Sequence, residues 1–149
     1  ASYTVESVLA GDWLSDGNNS WNVQLAPRRA VARSQYFNAD LGPYVSLQGF
    51  SDDPGHGYYA PNLYQRYAAN AYLLWKIDGD DSVGLTVSPG VQKDEHSNFQ
   101  FGVSVDMEGY FGIYRDWMLY TRISLMDNQT GVSGGYNAQL FQIQLTRRF

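Results

Sequence analysis

The chain has 149 residues, enough for one domain, with a net charge of -5 and no cysteine. The missing cysteine excludes a disulfide framework and a thiolate metal site, and the acidic balance argues against nucleic acid as a partner. Mean hydropathy is -0.39, and no apolar run approaches the ~20 residues of a membrane-spanning helix.

Period-two alternation organises the sequence from end to end. The first strand is expected over about Tyr3 to Leu14, with Val5, Leu9 and Trp13 on one side. A second runs from about Trp21 to Arg33, with Trp21, Val23, Leu25 and Val31. Between Phe37 and Leu47 the apolar set Phe37, Ala39, Leu41, Pro43, Val45 and Leu47 faces away from Asn38, Asp40, Gly42, Tyr44 and Ser46. From Leu63 to Ile77 the odd positions are mostly apolar, while Tyr64, Arg66, Asn70, Tyr72 and Lys76 share the other side. Val83, Leu85, Val87, Pro89 and Val91 then alternate with small polar residues. From Phe99 to Ile113 the apolar series is interleaved with Ser104, Asp106, Glu108 and Tyr110. Trp117 to Leu125 places Tyr120 and Arg122 opposite Leu119 and Ile123. The last strand runs from about Tyr136 to Phe149. That makes eight strands and no helix; Pro43 and Pro89 weaken two of them, because proline donates nothing to the ladder.

Alternation alone suits a soluble β-sandwich as well as a membrane barrel. Several runs reach the ~9–11 residues of a tilted membrane strand, beyond the ~5–6 usual in globular proteins. Aromatic residues gather near strand ends, at Trp13, Trp21, Tyr59, Tyr64, Trp75, Tyr114 and Trp117, where a membrane interface would hold them. Connections alternate between short (Asp78–Asp81, Tyr114–Asp116) and long (Ser51–Asn62, Lys93–Asn98, Asp127–Gly135), the asymmetry of periplasmic turns and external loops. The expected fold is therefore an all-β, antiparallel transmembrane β-barrel, with residues 1–149 forming a barrel domain or part of one. Phe149 ends an amphipathic strand on an aromatic residue, as outer-membrane assembly signals do.

The segment Gly55-His56-Gly57-Tyr58-Tyr59-Ala60-Pro61-Asn62-Leu63-Tyr64 resembles the Gly-Tyr-Tyr/Phe-x-Pro loop of the exopolysaccharide-export porins, the outer-membrane exporters of cellulose and Pel type. Leu41-Gly42-Pro43-Tyr44-Val45-Ser46-Leu47-Gln48-Gly49-Phe50 resembles the strand that feeds this loop. Phe101-Gly102, the turn Tyr114-Arg115-Asp116-Trp117 and the tail to Arg148-Phe149 are similar to theirs as well, so the resemblance covers about residues 36–149. It implies an outer-membrane pore that conducts a nascent exopolysaccharide during biofilm-matrix secretion. Its partners would be outer-membrane lipids and the periplasmic and inner-membrane components of a polysaccharide synthase complex. In that family a barrel of about sixteen strands follows a periplasmic helical-repeat domain; eight strands would supply half of it.

The sequence supports no chemical step and no cofactor. His56 and His96 fall in expected loops, and Glu95, His96 and Ser97 are too close in sequence to converge as a triad. Asp52-Asp53 and Asp78-Gly79-Asp80-Asp81 lack the spaced ligands and closing Glu of a Ca²⁺ loop and suit turns. The expected polysaccharide path is the polar face: Asp40, Tyr44, Tyr64, Arg66, Tyr72, Asp106, Glu108, Tyr110, Tyr120 and Arg122. Rings stack on sugar faces and charges bond hydroxyls. A cationic polymer would favour Asp40, Asp106 and Glu108, a neutral one the tyrosines; the bland alternative is wall-stiffening salt bridges. His56, Tyr58 and Tyr59 are the expected gating loop. Two other functions fit the sequence: a closed eight-stranded barrel serving as anchor or adhesin, and a small-barrel enzyme acting on lipid A or phospholipid.

Overall fold

The computed structural model describes residues 2–52, 60–79, 81–114, 116–128 and 136–147. Eight strands follow in chain order: β1 Tyr3–Trp13, β2 Asn19–Arg33, β3 Phe37–Phe50, β4 Tyr64–Lys76, β5 Ser82–Lys93, β6 Gln100–Tyr114, β7 Trp117–Asn128 and β8 Tyr136–Arg147. Each pairs antiparallel with the next in one eight-stranded sheet. The sheet is open, with β1 and β8 as its two edges. An open sheet of eight strands is the half-barrel that the resemblance implied; the alternative of a closed eight-stranded anchor would require β1 to pair with β8, and β1 is instead exposed along its whole length.

The polarity of the sheet is inverted relative to a water-soluble sandwich. Among the described residues, the buried hydrophobic ones are only Ala26, Ala39 and Ala60, whereas Asn18, Ser46, Arg66, Asn70, Ser88, Gln92 and Asp94 are buried among the polar ones. Large apolar side chains stand exposed on the odd-numbered face, including Leu9 at 83%, Phe101 at 64% and Ile143 at 60%. Such a surface far exceeds the apolar patches of soluble monomers. It fits a wall whose convex face meets hydrocarbon and whose concave face meets water. Rims of aromatic residues bound this band. Phe37 and Trp75 face each other across β3 and β4, with ring centroids 5.5 Å apart; Tyr67 and Phe99 lie 6.2 Å apart toward the other end. From Tyr67 to Trp75 the strand rises on the order of 26 Å at ~3.3 Å per residue, about 20 Å of height at a tilt of ~40°, most of a band ~25 Å tall.

The prolines leave gaps in the ladder. Pro43 pairs with Ala69 of β4 but has no partner in β2, where pairing stops at Leu25–Val45 and resumes at Arg29–Leu41. Pro89 pairs with Val103 of β6, while the β4–β5 ladder is interrupted between Ala68–Gly90 and Ala71–Val87. At Gly42 the two strands approach so closely that a Cβ would meet the Pro27 carbonyl oxygen at 1.8 Å. Only glycine fits there. A bulge at Val31 shifts the β2 register, so that Ala30 opposes Asp40 but Ala32 opposes Ala39. Beyond it the faces exchange, which brings Arg33 onto the concave side.

The connections differ between the two ends. Residues 34–36, 77–81 and 115–116 link strands at one end, while 14–18, 51–63, 94–99 and 129–135 do so at the other. The short turns are built locally. Ser34 accepts from the Phe37 amide, and in the turn at Asp78, Gly79 takes a φ of +52° while Asp81 donates its amide to the Asp78 carbonyl. The longer loops are stitched to one another. Asn18 Oδ1 accepts from the Asn19 and Asp52 amides and the Ser51 hydroxyl, and Glu95 accepts from the amides of Asn62 (2.7 Å) and Leu63 (3.3 Å).

Candidate functional site

Even-numbered residues of β1 to β7 line one trough of about 640 Å³ along the concave face. Asp40, Tyr44, Arg66, Tyr72, Asp106, Glu108 and Arg122 all border it. The register explains why. Asp40 opposes Tyr72, Tyr72 opposes Thr86, Thr86 opposes Asp106, and Asp106 opposes Ser124. Tyr110 and Tyr120 oppose each other on the same face near the short turns, with ring centroids 4.9 Å apart. Tyr64 stands near the long loops and donates its hydroxyl to Gln92 Oε1 at 2.8 Å. His56, Tyr58 and Tyr59 lie outside the described residues.

Charge on this wall is mostly neutralised across strands. Arg122 grips Asp106 with a fork: Nη2 donates to Oδ2 at 2.6 Å, and Nε donates to both carboxylate oxygens at 3.0 and 3.1 Å. Such bidentate pairs are the strong ones. Arg33 is paired with Asp40, and Arg28 with Glu6. The Arg28 guanidinium also lies 5.1 Å from the centre of the Tyr72 ring. Two groups depart from this rule. Arg66 is 5% exposed and has no carboxylate partner among the described residues; its Nη2 donates to the Ser88 carbonyl (2.8 Å) and the Ser104 hydroxyl (3.0 Å). Glu108 directly opposes Arg122 in the ladder, yet the guanidinium turns to Asp106.

Glu6, Arg28 and Arg33 belong to this wall and were not singled out from the sequence. Strand parity was the available signal for the first two, because Glu6 and Arg28 stand opposite the apolar sets of their strands. Arg33 carries no such signal: uninterrupted alternation would put it with Val31 on the outside, and only the bulge reverses it.

The loop residues form no convergent catalytic set among those described. The Ser97 hydroxyl accepts from the Asp94 amide, and the His96 amide donates to Asp94 Oδ1. Glu95 approaches His96 Nε2 at 3.6 Å but spends its carboxylate on the Asn62 and Leu63 amides. Asp81 likewise accepts from the Gly112 amide at 2.7 Å, tying the turn to the end of β6. No group of acidic and histidine side chains suited to a metal ion occurs among the described residues.

No protein-family model matches the chain. No curated protein sequence matches it. A solved structure described as a bacterial polysaccharide outer membrane secretin matches 99% of the chain with a TM-score of 0.78 at 14% identity. The chain spans about half of that structure, 51% of its length. The likeness is one of fold: an antiparallel sheet curved as half of a barrel.

Proposed function

We propose that this chain forms part of the wall of an outer-membrane barrel through which a nascent exopolysaccharide leaves the cell, in the manner of a biofilm-matrix exporter. The inverted polarity carries the reading. A convex apolar face with aromatic rims suits lipid, and a concave face of charges, tyrosines and amides suits a hydrated polymer. The fold-level likeness to a polysaccharide secretin supports it. Passage requires no bond to be made or broken; the polymer advances because synthesis at the inner membrane extends it. The trough offers rings for sugar faces and hydrogen-bonding groups for hydroxyls. Strands at the β1 and β8 edges, from elsewhere in the full-length protein, complete the barrel, since unpaired edges cannot face hydrocarbon.

The test is a blockade. Thr86→Trp with Gln24→Trp, both lining the trough, should abolish cell-surface polysaccharide while the protein still reaches the outer membrane in heat-modifiable form. Normal export by a correctly inserted double variant contradicts the proposal.

A further inference from the structure

Glu108 is the carboxylate on this wall to which no described side chain gives a hydrogen bond or an ion pair, although Arg122 stands directly opposite it in the ladder. Each guanidinium around it is engaged elsewhere: Arg122 by Asp106, Arg28 by Glu6 and Arg33 by Asp40. No hydrogen-bond or ion-pair partner of Glu108 occurs among the described residues. Its side chain lies folded over Gly84, where a Cβ would meet Glu108 Cγ at 3.1 Å and Oε1 at 3.3 Å. The Tyr72 ring approaches the same point, with Cε2 at 3.5 Å. Glycine at position 84 thus makes a floor on which a half-buried carboxylate and a tyrosine edge converge, beside the Tyr110–Tyr120 pair one step toward the short turns.

A half-buried carboxylate that borders the trough and that no donor of the wall contacts directly keeps its acceptor sites open, so its favoured visitor is a hydrogen-bond donor or a cation. A second carboxylate is repelled there. Building on the reading of the trough as a polysaccharide path, we infer that Glu108, seated on Gly84 beside Tyr72, is a charge filter: it holds amino-bearing and neutral sugar residues and turns away uronates. The cross-strand pairs matter equally, because they remove Asp40 and Asp106 as competing contacts for a cationic sugar. Specificity for charge then rests on one side chain.

Three probes test this on the full-length protein in detergent micelles, by titration calorimetry: short oligomers of glucosamine, of glucose and of galacturonic acid. The expected order of affinity is glucosamine, then glucose, with galacturonate weakest. Glu108→Gln keeps the shape and removes the charge; it should weaken the glucosamine oligomer roughly tenfold, the size of one charge-assisted hydrogen bond, and leave glucose within about twofold. Gly84→Ala keeps the charge and asks the carboxylate to shift by only a few tenths of an ångström, so it should weaken the glucosamine oligomer less than Glu108→Gln does. Binding of the glucose and glucosamine oligomers with no dependence on Glu108, or galacturonate binding as well as glucosamine, overturns the filter while leaving the path intact. Failure of all three oligomers to bind overturns the path as well as the filter.

Discussion

The trough has two halves that use the same kinds of residue to different ends. Near the long loops, Arg66 is buried and its guanidinium is taken up by Ser88 and Ser104; Tyr64 is tied to Gln92. Near the short turns, Glu108 has no such partner, and the rings of Tyr110 and Tyr120 lie half open, Tyr110 being 37% exposed. A charged group that the wall satisfies stiffens the wall. One that the wall leaves unsatisfied is available to whatever passes. The contrast separates residues of the same face into structural and contacting roles, which position on the strand alone does not do.

Breaking the satisfied half should cost the most. Arg66→Met leaves the Ser88 carbonyl and Ser104 hydroxyl without their donor; a loss of about 3 kcal/mol in folding stability is expected, measured by urea titration in liposomes. Glu108→Gln, in the open half, should leave stability unchanged in the same titration. A second test compares the two faces of the sheet at β7 and β5. Leu125→Arg puts a cation on the convex band and should cost about 2–4 kcal/mol if it lies at mid-membrane, whereas Thr86→Arg on the water-facing trough should cost less than about 1 kcal/mol, as surface substitutions do. A smaller effect sharpens the comparison. Asp106→Asn releases Arg122 toward Glu108, its direct opposite in the ladder. The variant should lose about 1–2 kcal/mol of stability with the ion pair and, by calorimetry, bind glucosamine oligomers as weakly as Glu108→Gln does.

The positions of most strands and their faces were legible in the alternation, because each strand has one apolar face and a period of two sends successive residues to opposite sides. β5 and β6 show it best: Val83 to Val91 and Phe99 to Met107 alternate without a break, and they pair residue for residue across the two strands from Val91–Phe101 to Leu85–Met107. Val31 shows where this fails. The bulge changes parity without changing composition, so Arg33 could not be placed from its neighbours in sequence. The choice of Arg122 between Asp106 and Glu108 was equally hidden, since both lie within reach on the same strand and the decision depends on side-chain geometry. The open sheet was legible only through the resemblance to sixteen-stranded exporters, because whether β1 meets β8 depends on strand tilt and curvature summed over the whole sheet, and alternation reports neither.

The central claim is the inverted polarity of the wall, and β6 tests it most directly. The chain has no cysteine, so once any cysteine elsewhere in the full-length protein is replaced by serine, a single cysteine placed in turn at positions 103 to 108 reports one site at a time. In proteoliposomes, a water-soluble maleimide should label positions 104, 106 and 108, while a lipid-phase maleimide labels 103, 105 and 107. Uniform labelling along the strand, or water-phase labelling of the odd positions, would contradict the account.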